Sequence, residues 1–156
     1  MSDALAPPSR AKTARPSNPR RRAREFVIQG LYQYLVGHQD EAAIEAQAVG
    51  VPGFEKADTE LYRTLLHGAL ADEAALRDLL APHIDRKWEE VSPIERSILL
   101  LGACELMSHP ATPYRVVINE AIELAKTFGG TDGHKFVNGV LDKLAPSLRP
   151  DEARGR

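Results

Sequence analysis

Cysteine is almost absent from this sequence of 156 residues. The single cysteine, Cys104, lies within the apolar run SILLLGACELM and has no second cysteine for an internal disulfide. One thiol also makes a structural zinc site improbable, because such sites need several cysteine or histidine ligands in register. We therefore predict that Cys104 is a small buried residue in a protein of the reducing cytoplasm.

Long hydrophobic runs are missing as well. No apolar stretch reaches the roughly 18 residues of a transmembrane helix, and no apolar core follows the basic residues near the start as in a secretory signal. Hydrophobic residues still make up 43% of the chain and charged residues 27%, as in ordinary globular domains. We expect a cytoplasmic protein with a real core and no membrane partner.

Alternation of polar and apolar residues, the pattern of strands, extends over no useful length. Apolar residues recur instead with helical spacing, which predicts an all-α protein of about six or seven helices. Residues 1–19 are expected to be a disordered basic extension and residues 150–156 a flexible tail. We expect Pro146 to end the last helix, with fraying from Ser147 onward. The predicted helices begin near Asn18 and Pro19, Asp40, Asp58 or Thr59, Asp72, Ser92 and Pro93, Pro113, and Thr131 or Asp132.

One predicted helix is apolar almost all round, from Ile98 to Met107. Such a helix is covered by neighbours on several sides, so we expect it at the centre of the fold. The motif SPIE at 92–95 begins this helix, and Glu95 can complete a capping box there. The linker before it does not indicate whether Trp88 is buried or exposed.

The sequence shows no catalytic constellation. Its five histidines are scattered over different predicted elements without metal-ligand spacing. Glu120 and Glu123 lie one helical turn apart, but an outward, solvated face explains them more simply than paired catalytic carboxylates. The loop GGTDGHK at 129–135 fails the P-loop pattern, because His134 replaces a glycine, although it could hold a phosphate of a larger ligand. We predict a protein that is not an enzyme and needs no metal or cofactor.

Positive charge is concentrated at the start of the chain. Residues 1–24 carry a formal charge of +6 and the remainder −8, against −2 overall. The first predicted helix opens with four of these cations: Arg20, Arg21, Arg22 and Arg24. Composition alone leaves two interpretations open, a solvated basic tail and a localised surface for anions.

The arginines have the wrong sign for a helix start. Each uncompensated cation in the first turn opposes the helix dipole by about 0.3–1 kcal/mol. Pairing of Arg21 with Glu25 would offset only about 0.2–0.5 kcal/mol, while Arg20 and Arg24 share a face and repel each other. Phosphate binding is a reason to accept this cost, because it releases counterions and forms fork-shaped hydrogen bonds. The cluster therefore favours a nucleic-acid surface, without distinguishing RNA from DNA.

Three stretches resemble the NusB family of bacterial transcription antitermination factors. They are RRRARE at 20–25 leading into QGLY, SPIERSILL at 92–100, and PYRVVINEAIELAKTFGGTDGHKFVNGVLDKLAP at 113–146. The last is long and highly specific, and the match spans about residues 20–149 in the family's order. The resemblance implies a helical domain over that range, with about seven helices in two small packed bundles.

The resemblance also implies a function without a catalysed reaction. Family members pair with the ribosomal protein NusE and bind the boxA element of ribosomal RNA transcripts. With other Nus factors they make RNA polymerase resistant to termination and assist rRNA maturation. A second interpretation is the helical RNA-binding module of an rRNA methyltransferase, which would need a further domain with a Gly-rich cofactor loop. A third interpretation is a helical enzyme or a purely protein-binding scaffold. The absence of catalytic groups counts against the enzyme, and the run of arginines counts against the scaffold.

The resemblance assigns roles to individual residues. Glu95 and Phe136 are assigned to NusE binding. Each also has a purely structural alternative, completion of the helix cap for Glu95 and packing in the core for Phe136. Leu100 stands where many family members carry arginine, so any contact of that arginine is absent or replaced. The positive charge of residues 1–24 and the negative charge of the remainder are also compatible with a homodimer that masks the RNA surface. The RNA-binding residues implied are Arg20, Arg21, Arg22, Arg24, Asp132, Lys135 and Phe136.

Overall fold

The computed structural model describes residues 18–155, and this part of the chain contains no strand. The prediction of an all-α fold is confirmed. The predicted extension at 1–19 lies outside the described residues, apart from its last two. Short 3-10 turns lie between α2 and α3 and between α4 and α5. The eight α-helices of the described residues are α1 (Pro19–Gly37), α2 (Glu41–Val49), α3 (Thr59–Ala71), α4 (Glu73–Leu80), α5 (Pro93–Ser108), α6 (Tyr114–Phe128), α7 (Gly133–Leu148) and α8 (Pro150–Arg154).

Three helix starts are capped as the sequence predicts. The side chains of Asn18, Asp58 and Ser92 each accept a hydrogen bond from the backbone N–H three residues later, at 2.8, 3.0 and 3.2 Å. Each bond satisfies one of the N–H groups that a helix start leaves without an intrahelical partner. The first cap fixes where α1 begins, and thereby where its arginines lie.

Helix α5 is the central element, as its apolar composition predicts. It packs against α1 and α3 on one side and against α4, α6 and α7 on the other, and every residue from 97 to 106 is buried. The helices α1 to α3 thus form one small bundle and α6 and α7, with α4, a second. Cys104 is fully buried as predicted, and this burial raises the pKa of its thiol to about 12.

Aromatic rings attach α1 to its neighbours. Phe26, one turn after the arginines, meets Phe54 edge to face with ring centroids 5.1 Å apart, and Phe54 meets Tyr62 of α3 at 5.3 Å. Edge-to-face geometry is favoured by the ring quadrupoles, and the three rings also bury large apolar areas. Trp88 lies in a 3-10 turn and is buried as well. None of the helices in residues 18–155 combines the length and the apolar character needed to span a bilayer.

The prediction that Pro146 ends the last helix is wrong. Helix α7 continues through Pro146 to Leu148. The proline removes one backbone bond to the carbonyl of Asp142, an exposed residue where water can replace it. Leu144 and Ala145 are buried immediately before it, and this packing holds the last turn against the core.

Residues 150–154, expected to lie in a flexible tail, form the short helix α8. It is joined to the body by Glu152, whose carboxylate accepts a hydrogen bond from the backbone N–H of Tyr114 at 2.9 Å. Glu152 also pairs with Arg149. Together these two bonds lower the pKa of the Glu152 carboxyl below its ordinary value.

Arg149 closes the corner between α5 and α6. Its guanidinium is buried and donates to four backbone carbonyl oxygens at the end of α5 and just beyond it. The distances are 3.1 Å to Glu105, 2.7 Å to Leu106, 2.9 Å to His109 and 3.0 Å to Thr112. The carbonyl oxygens of Glu105 and His109 also accept hydrogen bonds from backbone N–H groups, those of His109 and Thr112. A cation at this position also complements the negative end of the α5 dipole.

Candidate nucleic-acid interface

The four arginines at the start of α1 divide into two kinds. Arg20 is exposed and Arg22 half-buried, and neither has an acidic partner among residues 18–155. Arg21 and Arg24 point inward to carboxylates on other helices. The cluster predicted as one basic surface is therefore two free cations beside two paired ones.

Arg24 is enclosed by the core. Only 4% of it is exposed, and its guanidinium binds Glu105 of α5 through two hydrogen bonds, Nε to Oε2 at 2.8 Å and Nη2 to Oε1 at 2.9 Å. Burial by itself lowers the pKa of Arg24, but the hydrogen bonds and charge of Glu105 outweigh it and leave the pKa above its ordinary value. The structure does not place Arg24 where it could reach a ligand on the surface.

Arg21 is held by Glu120 of α6. Its Nε donates to Oε1 at 3.0 Å and its Nη2 to Oε2 at 2.7 Å, and the two side chains are 13% and 16% exposed. The hydrogen bonds that Arg21 donates to Glu120 raise the pKa of Arg21. Sequence spacing predicts Glu25 as the partner and an outward Glu120. Glu120 instead turns toward α1, because its carboxylate meets two cations there, and the field of Glu25 acts on Arg21 in addition.

These four side chains form a chain of alternating charge, which we call the charge chain: Arg21, Glu120, Arg24 and Glu105. Its middle link is looser, with Nη1 of Arg24 3.9 Å from Oε1 of Glu120. The chain joins α1 to α5 and α6 and carries no net charge. It also explains much of the unfavourable charge at the start of α1, because two of the four cations are offset by carboxylates from outside the helix.

The second predicted cluster lies at the start of α7. Asp132 and Lys135 are exposed and contact each other loosely, with Nζ 3.5 Å from Oδ1. Asp132 occupies the position before the helix, but its side chain makes no capping bond. Phe136 is half-buried, so it belongs neither fully to the core nor fully to the surface, and the guanidinium of Arg86 lies 4.5 Å from its ring centroid.

A shallow groove of about 160 Å³ runs beside this cluster. Its walls combine the ring of Phe136 with the cations Lys135 and Lys143 and the imidazole of His83, and Asp85 lies at its edge. An aromatic face next to cations can take an unstacked base together with its phosphate. The groove is therefore the feature of α7 best suited to a nucleic acid.

Glu95 lies where the starts of α5 and α7 meet. Its backbone N–H donates to Ser92, while its carboxylate packs on the backbone of Gly133, where an added Cβ would be 2.6 Å from Oε2. A carboxylate is favourable there because both helix starts are positive ends of dipoles. Glu95 thus fixes the loop before α7, and Gly133 must lack a side chain for this approach.

Helix α6 links the two clusters, the arginines at the start of α1 and the residues at the start of α7. Arg21 contacts α6 at Glu120, and α6 ends at Phe128, about 12 Å further along its axis. The loop at 129–132 and the start of α7 follow directly. Helix α6 therefore holds the arginine start and the groove beside Phe136 at a fixed spacing, which a single extended strand of a few nucleotides can cover.

Two further sequence expectations concern other positions. Leu100 is fully buried, so the residue standing where many family members carry arginine is an interior packing residue in this chain. No group of three or more histidine, cysteine or acidic side chains within residues 18–155 is arranged to hold a metal ion. Glu105 and Glu120 are the site residues that the sequence analysis missed. The signal for Glu105 was an acidic residue inside an otherwise apolar helix.

The fold and the arginine-rich helix start define a class, the small two-bundle helical domains with a basic first helix. The sequence profile of the NusB family matches residues 21–146. A transcription antitermination protein NusB of Dechloromonas aromatica is 57% identical over 143 residues, 92% of this chain and 88% of that protein. One from Burkholderia cenocepacia is 53% identical over 137 residues, 88% and 94% of the two chains.

A solved structure of T. maritima NusB superposes with a TM-score of 0.75 at 29% identity, covering 89% of this chain and 99% of that one. The chain belongs to the NusB family of transcription antitermination proteins. The resemblance noted in the sequence and the fold it implies are confirmed. These relatives, matched over most of their length, are named as antitermination proteins, so they lend no support to the alternative of a methyltransferase module.

Proposed function

We propose that this protein binds the boxA RNA of rRNA operon transcripts together with ribosomal protein NusE. In this role it acts in the cytoplasm with other Nus factors and RNA polymerase, and it supports processive transcription and maturation of rRNA. It works by binding and not by catalysis. The observation that carries the proposal is the pair of arginines at the start of α1, Arg20 and Arg22, that have no acidic partner within residues 18–155.

The arginine start is suited to phosphates. Arg20 and Arg22 offer planar guanidinium groups for bidentate hydrogen bonds, and the positive end of the α1 dipole adds to their field. Arg24 and Arg21 support this surface from beneath, since the charge chain fixes α1 against α5 and α6. Contacts of this kind supply affinity and register and carry no base specificity.

The start of α7 contributes the second half of the surface. Lys135 is exposed and can meet a phosphate, while the half-buried ring of Phe136 offers a face to an unstacked base. Asp132 accepts hydrogen bonds from the bases or the sugar at the exposed loop. We assign Glu95 and Phe136 to NusE, and their common position beside the start of α7 supports this assignment.

The test is a salt titration of the full chain with a boxA oligoribonucleotide, with and without NusE, followed by fluorescence anisotropy. Each lost phosphate contact flattens the slope of log K against log salt by about 0.7 for a single strand. The double variant R20Q/R22Q is therefore expected to flatten it by about 1.4. The matched control R63Q/R77Q removes the same charge from exposed arginines on α3 and α4 and is expected to keep the slope.

An unchanged slope in R20Q/R22Q would rule out the arginine start as the RNA surface. NusE is expected to tighten binding without changing the contribution of Arg20 and Arg22. The homodimer stays a prediction, checked by sedimentation with and without RNA, since a dimer that covers the arginines dissociates when RNA binds.

A further inference from the structure

Glu120 faces the arginine start from a neighbouring helix, and its geometry has a consequence for RNA affinity. We propose that Glu120 is a positioning residue that withholds Arg21 from phosphates, so that α1 offers two cations to RNA and not three. The inference rests on the proposed RNA binding and adds to it. It names a residue on α6 that decides how many phosphates the first helix can take.

Arg21 is bound to Glu120 through one paired edge of its guanidinium, Nε and Nη2. A fork-shaped contact to a phosphate through that edge competes with the carboxylate, which leaves a phosphate only the Nη1–Nη2 edge. The side chain is also only 13% exposed, and an approaching phosphate would meet the negative charge of Glu120 beside it.

Glu120 contacts two cations at once. Nη1 of Arg24 lies 3.9 Å from Oε1, the same oxygen that accepts from Nε of Arg21, and Arg24 is itself fixed by Glu105. Glu120 therefore cannot turn toward solvent without leaving both arginines. The fields of Glu25 and Glu123 also act on Arg21 and strengthen its hold within the protein.

Arg20 and Arg22 lack this restraint. Neither has a carboxylate partner within the described residues, and Arg20 is exposed while Arg22 is half-buried. A replacement of Arg21 should then leave the salt slope of RNA binding unchanged, although the residue stands in the middle of the arginine run. Removal of the charge on Glu120 should release Arg21 as a third phosphate-binding cation.

The experiment compares R21Q, E120Q and the double variant R21Q/E120Q in the boxA salt titration. R21Q is expected to keep the wild-type slope. E120Q is expected to steepen it by about 0.7, which corresponds to roughly fivefold tighter binding near 0.1 M salt. The double variant should return to the wild-type slope, a coupling that general loosening of the fold would not produce.

Two controls separate this proposal from other effects. E123Q removes the same charge one turn further along α6, where its influence on Arg21 is coulombic, and should change the slope much less than E120Q. Thermal unfolding of each variant checks that α1 stays folded. The same titration with inorganic polyphosphate counts the available cations of α1 without depending on RNA.

Each outcome decides between the two claims. A slope in R21Q that flattens as much as in R20Q, or an unchanged slope in E120Q, would overturn the role of Glu120. If RNA binding shows no dependence on Arg20 and Arg22, the proposed function fails. The polyphosphate titration then still tests whether Glu120 withholds Arg21.

Discussion

The inward and outward arginines of α1 are neighbours in sequence and opposites in environment. Arg24 is 4% exposed and bound to Glu105 at two atoms, while Arg20, one turn earlier on the same helix face, is exposed. The difference arises because Arg24 lies against α5, where Glu105 binds it, whereas Arg20 lies in the first turn with its side chain exposed. A run of like charges is therefore no single functional unit, and the helical register together with the neighbouring helices decides each residue's role.

This comparison also answers why a helix should begin with cations. The sequence leads us to expect that a phosphate ligand offsets most of the cost to the helix dipole and Glu25 a small part. For Arg21 and Arg24 carboxylates of α6 and α5 offset it, and within residues 18–155 the charges of Arg20 and Arg22 are left for a ligand to meet.

Replacement of Arg24 should have the largest effect. R24Q leaves the carboxylate of Glu105 buried without its charged partner, and we expect a loss of about 3–5 kcal/mol in the free energy of unfolding. Urea denaturation measures it. The double variant R24M/E105L should recover most of that loss, because a buried ion pair is often replaceable by apolar side chains of similar size. Equal destabilisation in the single and double variants would contradict this account of the pair.

Arg149 is a second test of the difference between buried and exposed arginines, because it is buried but lies outside the basic surface of α1. R149Q leaves the carbonyl oxygens of Leu106 and Thr112 without this donor and breaks the ion pair with Glu152, and we expect a loss of about 2–4 kcal/mol in unfolding free energy. The salt slope of boxA binding by the folded fraction should stay at the wild-type value. A flattened slope would mean that inward arginines do contribute to RNA binding.

Phe136 tests an intermediate case, because its ring is half-buried. F136A is expected to cost about 2 kcal/mol of stability, less than the 3–5 kcal/mol of a fully buried phenylalanine. It should also weaken RNA binding without flattening the salt slope, since a stacked ring neutralises no phosphate. Chemical denaturation and the anisotropy titration give the two values. A full core penalty with normal RNA affinity would assign Phe136 to packing alone.

The outward arginines should show the smallest effect on stability. R20Q and R22Q, each measured by thermal unfolding, should change the free energy of unfolding by less than about 0.5 kcal/mol, as surface substitutions generally do. A slight gain is the expected sign, because each variant removes a cation from the positive end of the α1 dipole. A loss of more than about 1 kcal/mol would show that these side chains have a structural partner.

Much of the fold could be predicted because its signals are local. Caps such as Asn18 and Ser92 lie three residues from the N–H groups they satisfy, and the apolar character of α5 is visible within one helix. The failure at Pro146 is different. It came from applying a rule for helix interiors to a last turn that the core holds in place.

The candidate site was less predictable, because its decisive contacts are distant in sequence. Arg21 and Glu120 are 99 residues apart, and Arg24 and Glu105 are 81 apart. Within one helix, spacing could suggest only Glu25 as a partner for Arg21. No local pattern shows which helix will pack on another, so the division of the arginines required the tertiary structure.

The hydrogen bonds of Arg149 to the corner between α5 and α6 have a consequence for how the protein folds during synthesis. Its four carbonyl partners precede it by 37 to 44 residues. During synthesis the whole of α6 and α7 must leave the ribosome before the corner after α5 can be closed. Until then the carbonyl oxygen of Leu106 lacks this donor, although the residue before it, Glu105, belongs through its side chain to the charge chain. The support of the arginines of α1 thus depends on a corner that closes only after α7 has been synthesised.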